Sequence, residues 1–113
     1  MQKKFSQNWI WSILDRYSVK VLPRAAQELD EIYPYICYNK LAPEVAKKQV
    51  NRIKKSILDL GLFPKAHQEI LEGCFAGKGY RQLLVDNYIV IFRIDENQRI
   101  VYVVTIQYYG RNI

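Results

Sequence analysis

Residues Ile100, Val101, Tyr102, Val103, Val104, Thr105 and Ile106 form a run that is apolar at almost every position. A strand reads this way when both faces of its sheet are covered, so this segment belongs in a sheet interior with neighbours on either side. Two further strand-like runs precede it, Tyr80 to Val85 and Tyr88 to Ile94. The separators, Asp86-Asn87 and Asp95-Glu96-Asn97-Gln98, have the composition of hairpin turns, so the last third of the chain reads as a three-stranded meander ending near Tyr109. Near the other end Tyr17, Val19 and Val21 alternate with Ser18 and Lys20, the period of a half-buried strand.

Between these strands the period changes. Pro23 suits a first helical position, where its missing N–H costs nothing, and Ala25, Ala26, Leu29, Ile32, Tyr33 and Ile36 recur on one face up to about Asn39. Pro34 inside this span predicts a kink or an earlier end. Pro43 and Glu44 open a second helix whose seam, Ala46, Val50, Ile53, Ile57 and Leu60, is spaced by four and three residues, with Gly61 and Pro64 as its stop. The short connector makes the two helices an antiparallel hairpin. Residues 64–78 carry no clear period and read as a surface loop long enough to be functional.

With 113 residues there is room for one domain. The expected architecture is α+β: a four-stranded, mainly antiparallel sheet in the order β-α-α-β-β-β, covered on one face by the helical hairpin. The domain spans residues 17–113. Residues 1–16, with the cluster Trp9, Ile10, Trp11, Ile13 and Leu14, form an N-terminal extension, read either as an extra helix packing on a partner or as a peripheral cover for an edge of the core. That cluster is far short of the ~20 residues that cross a bilayer and precedes no cleavage signal, so neither a membrane anchor nor a signal peptide is expected.

Seventeen Lys and Arg against eleven Asp and Glu give a net charge of +6, which favours polyanions or an acidic partner. Much of the excess lies between residues 40 and 55, where Lys40, Lys47, Lys48, Arg52, Lys54 and Lys55 face a single acid, Glu44. On the second helix Lys48, Arg52 and Lys55 fall opposite the apolar seam with Lys47 and Lys54 at its flank, a phosphate-tracking surface if it is more than a solvated face. A second cationic set, Lys78, Arg81, Arg93 and Arg111, interleaves with Tyr80, Tyr88, Tyr102, Tyr108 and Tyr109, a mixture suited to single-stranded RNA. Alternation leaves open whether Arg81 projects toward the helices or toward a groove.

Cys37 and Cys74 stand far apart and His67 is the one histidine, so zinc and haem sites are not expected, and no cofactor is implied. Glycine-rich phosphate loops, a Ser-His-Asp arrangement and paired metal carboxylates are all missing. RNA hydrolysis through the substrate's own 2'-hydroxyl would still be open, needing a base, cations and an acid. His67, Glu69 and Glu72 are the available bases in the long loop.

The strings Tyr17-Ser18-Val19-Lys20-Val21-Leu22-Pro23-Arg24-Ala25, Gly79-Tyr80-Arg81-Gln82-Leu83, Asn87-Tyr88-Ile89-Val90-Ile91-Phe92-Arg93-Ile94-Asp95 and Ile106-Gln107-Tyr108-Tyr109-Gly110-Arg111, in this order, resemble the RelE/ParE superfamily of type II toxin–antitoxin toxins. The resemblance runs from Tyr17 to the C-terminus and leaves the first sixteen residues without a counterpart. It implies a cytoplasmic bacterial toxin held inactive by an acidic antitoxin whose C-terminal segment folds on binding. One branch cleaves mRNA on the ribosome; another poisons DNA gyrase.

For the RNA-cleaving branch the resemblance implies Glu69 as base, Arg81 as a substrate-gripping cation, Arg111 as a transition-state stabiliser and Tyr109 where relatives use a histidine. Lys47, Lys48, Arg52, Lys54, Lys55 and Lys78 would then contact nucleic acid. Two positions depart from that branch. Ile89 stands where many of its nucleases have an arginine, and the sequence given ends at Ile113 where relatives continue into a helix bearing a catalytic tyrosine, a role then falling to Tyr108 or Tyr109. The leading expectation is a ribosome-dependent, metal-independent mRNA endonuclease; the alternatives are a gyrase inhibitor and an inactive antitoxin-binding domain.

Overall fold

The computed structural model describes residues 16–40 and 42–109. The expectations for residues 1–15 and for Arg111 fall outside them. Strand β1 (Ser18–Val21) leads into helix α1 (Pro23–Lys40) and helix α2 (Pro43–Asp59), followed by β2 (Arg81–Val85), β3 (Tyr88–Asp95) and β4 (Ile100–Tyr108). The sheet order is β1-β4-β3-β2. The apolar strand is therefore interior, as its composition requires.

The meander is antiparallel, Arg81 facing Phe92 and Tyr88 facing Tyr108, but β1 runs parallel to β4, with Ser18 opposite Ile100 and Val21 opposite Val103. The sheet is thus mixed. Parallel neighbours need a long crossover, and the helical hairpin supplies it.

Both helices begin with proline, where the absent N–H would have had no partner. Pro34 does not end α1, which continues to Lys40. At the end of α2 the chain turns back toward β1: Tyr17 N–H donates to the Gly61 carbonyl at 2.8 Å. A Cβ on Gly61 would lie 2.7 Å from the Tyr17 carbonyl oxygen, so only glycine permits this approach.

The hairpin buries Ala25, Ile32, Ile36, Ala46, Ile53, Ile57 and Leu60 against Val85, Tyr88, Val90, Phe92, Val101, Val103 and Ile106 of the sheet. Alternate residues of β3 supply the same face, as the period of two demands. The register slips between Ile91, opposite Thr105, and Phe92, opposite Val103, leaving Val104 as the extra residue of a bulge. Beside it the fully buried Thr105 donates its hydroxyl to Glu28 Oε1 at 2.7 Å, and Ile106 N–H donates to the same oxygen at 2.8 Å. One carboxylate on α1 thereby satisfies two interior donors that would otherwise be costly.

Candidate functional site

The segment after α2 is shaped by Phe63, which takes a left-handed conformation (φ 51°), and by a 3-10 turn at Pro64–Ala66. It then runs along the edge of β2. Gln82 N–H donates to the Gln68 carbonyl at 3.0 Å, Ile70 N–H donates to the Tyr80 carbonyl at 2.9 Å, and Glu69 and Arg81 form an antiparallel bridge. The long loop is therefore partly a short edge rung, which covers one end of an otherwise open strand.

Arg81 pairs with Phe92 and so projects to the helix-covered side. Its Nη1 donates to the His67 carbonyl at 2.7 Å and more distantly to that of Lys65 at 3.4 Å. The His67 ring meets Phe92 edge-on, centroids 5.7 Å apart and planes at 89°. Burial, assisted by the Arg81 charge, holds the His67 imidazole below its ordinary pKa.

The sign of the linkage follows. The unfolded chain binds the proton more readily than the native one, so this contribution to stability is complete above the ordinary histidine value of ~6.5 and is lost as the pH falls below it. His67→Gln is expected to flatten part of the decline in melting temperature between about pH 7 and 5. An unchanged slope in that titration would contradict the assignment.

Glu69 is exposed and lines an open groove of about 440 Å³ with Gln68, Glu72 and Gln82. Of the expected catalytic residues, Glu69 and Arg81 are brought together. Tyr109 is not with them: it is exposed, and its N–H donates to the Asn87 carbonyl at 2.6 Å, at the β2–β3 turn. Arg81 opens β2 at the other end, and the strand between them spans ~13 Å at ~3.3 Å per residue.

The cations of α2 are exposed as expected. Lys48, Arg52 and Lys55 line a shallow groove of about 340 Å³ with Asn51, and Lys47 and Lys54 flank it. Part of their charge is answered locally: Arg52 Nε lies 2.9 Å and Gln49 Nε2 3.0 Å from Asp86 Oδ2, and Lys55 lies 4.0 Å from Asp59. Lys78 is exposed between Gly77 and Gly79, both at positive φ.

The meander tyrosines divide. Tyr88 is core and stacks edge-on with the exposed Tyr108, whereas Tyr102 lies under the Arg93 guanidinium at 4.4 Å. A feature not anticipated from sequence is a groove of about 330 Å³ between α1 and the end of β4, lined by Glu28, Glu31, Ile32, Tyr35, Tyr88 and Tyr108. The one signal for it in α1 was Tyr35, exposed beside the buried Ile32; Tyr33, expected on the apolar face, is also exposed but lies outside the groove. Among the described residues no three His, Cys, Asp or Glu side chains are grouped to hold a metal, and no helix is long and apolar enough to cross a membrane.

A family model described as the ParE toxin of the type II toxin–antitoxin system parDE matches residues 19–113. The fold is similar to that of a chain in the chromosomal ParDE toxin–antitoxin system from P. aeruginosa, with a TM-score of 0.70, 21% identity, and 85% of this chain matched to 99% of that one. It is also similar to a chain of the RelBE2 toxin–antitoxin complex from Mycobacterium tuberculosis, with a TM-score of 0.61, 18% identity, and 82% of this chain matched to 91% of that one. No curated protein matches the sequence.

Proposed function

The chain belongs to the ParE toxin family of type II toxin–antitoxin systems, and from this premise we propose that it arrests growth by binding DNA gyrase and that a cognate antitoxin holds it inactive. One observation carries the reading beyond family membership. Among the described residues, the side chains expected to cut RNA are divided between two ends of the sheet, Arg81 and Glu69 at one and Tyr109 at the other, and the Arg81 guanidinium donates to the His67 carbonyl. General acid–base transfer needs groups within about 3 Å of the proton they move, or one water away. A binding role asks only for a stable surface.

Pulse-labelling after induction tests the proposal. DNA synthesis is expected to fall before protein synthesis; the reverse order would oppose it.

The second reading, mRNA cleavage at the ribosome with Glu69 as base and Arg81 as phosphate ligand, is favoured by their adjacency across the bridge. Arg81→Ala separates the two. If Arg81 is a structural clamp, the substitution costs about 1.5–3 kcal/mol, the range for a hydrogen bond from a charged group, and toxicity persists wherever the variant remains folded. Full thermal stability with toxicity abolished would favour the nuclease.

A further inference from the structure

We propose that the outer face of α2 is a docking surface for the phosphodiester backbone of a nucleic acid, with Lys48, Arg52 and Lys55 gripping one phosphate group and Lys47 and Lys54 reaching its neighbours. Between residues 47 and 55 every exposed side chain is Lys, Arg or Asn. At ~100° and ~1.5 Å per residue the five cations fall within an arc of ~160°, along ~12 Å of the axis and opposite the buried Ala46, Ile53 and Ile57. A solvated helix face is ordinarily steadied by opposite charges three and four residues apart. Here Lys48 and Arg52, and Arg52 and Lys55, set like charges at those spacings, which costs the helix stability until a polyanion screens them.

Neighbouring acids answer only part of that charge. Asp86 holds Arg52 at 2.9 Å, and Asp59 approaches Lys55 at 4.0 Å. Lys47, Lys48 and Lys54 form no ion pair among the described residues, although Glu44 stands one helical turn before Lys48. The groove of about 340 Å³ between Lys48, Asn51, Arg52 and Lys55 therefore has donors on every wall and no carboxylate, a setting for a phosphate group. Asp86 also orients the Arg52 guanidinium, holding it by its Nε toward the β2–β3 turn. Duplex DNA carries one negative charge per ~1.7 Å of its axis, so ~12 Å of helix meets several phosphates at once. Repeated charge with no apolar anchor favours such a backbone over an acidic protein, because protein interfaces centre on buried apolar and aromatic side chains and none is exposed between residues 47 and 55. Only the source of the phosphates rests on the gyrase reading, under which it is duplex DNA; the surface itself asks for phosphodiester chemistry alone.

Fluorescence anisotropy of the purified full chain, with a short labelled DNA duplex and a single-stranded RNA of the same length, provides the test in the absence of gyrase. With one phosphate for each of the three unpaired lysines, affinity is expected to fall with salt on a log–log slope of about −2.7 for the duplex and about −2 for the RNA. The double variant Lys48→Gln with Lys54→Gln should flatten the duplex slope by about 2 units. Lys20→Gln with Arg24→Gln removes as many charges from exposed positions on β1 and α1 and should leave the slope unchanged. Asp86→Asn releases Arg52 at a left-handed position that asparagine accepts, and should tighten binding about threefold and steepen the slope. Tighter binding of the duplex identifies DNA as the source, and tighter binding of the RNA identifies RNA. A salt-independent or undetectable interaction would overturn the proposal, as would equal losses in the two double variants or a weaker Asp86→Asn. Displacement of the duplex by polyglutamate at equal charge concentration would also overturn it, by assigning the face to an acidic protein. Gyrase inhibition that persists without any nucleic-acid binding by the free protein would remove this surface and leave the target proposal standing.

Discussion

Phe92→Ala is expected to destabilise the protein by about 3–5 kcal/mol, the cost of removing a large buried ring whose neighbours relax only in part. Phe92 is fully buried in an interior strand, faces both helices, and carries the His67 ring on its edge. Truncation therefore opens a cavity at the junction of the core with the loop that Arg81 ties down. A fall in melting temperature of roughly 10–30 °C should follow in a domain of this size. Denaturant titration measures the loss directly; less than about 1 kcal/mol would mean that the sheet and helices do not meet as described.

The second large effect is expected at Glu28. Glu28→Ala leaves the buried Thr105 hydroxyl and the Ile106 N–H without their shared acceptor, at a cost of about 2–4 kcal/mol for two unsatisfied donors. Glu28→Gln keeps an acceptor in place and should recover more than half of that loss. Arg24 also approaches Glu28, at 3.3 Å, but is largely exposed, so Arg24→Ala should change stability by no more than about 1 kcal/mol. Equal losses for Glu28→Ala and Arg24→Ala would show that the ion pair, and not the capping of the bulge, is what Glu28 contributes.

The contrast between these sites shows what the sequence could disclose. The interior place of the last strand, the two helices and their hairpin are readable because hydrophobic period and proline position act locally. Phe92 is a core residue by alternation alone. Glu28 is not legible in the same way: its role arises from a bulge nearly eighty residues away, and no periodic signal marks a carboxylate that will meet a backbone N–H across the fold. The parallel pairing of β1 with β4 is similarly hidden, since a half-buried edge strand reads alike in either direction.

The candidate site was legible as a set of residues and not as an arrangement. Glu69 and Arg81 are twelve residues apart in sequence, and it is the edge rung along β2 that sets them side by side. Alternation left the direction of Arg81 open because strand period fixes relative faces only. Its partner is a backbone carbonyl in an aperiodic loop, which no side-chain pattern announces. Tyr109 follows the same strand that carries the core, so its placement at the β2–β3 turn depends on the register of the whole meander.

The proposal for the target meets its most direct test with purified components. Added to DNA gyrase and relaxed plasmid, the protein is predicted to inhibit supercoiling, with relief on addition of its antitoxin, while mRNA in a translating extract stays intact. Cleaved mRNA together with undisturbed supercoiling would contradict it.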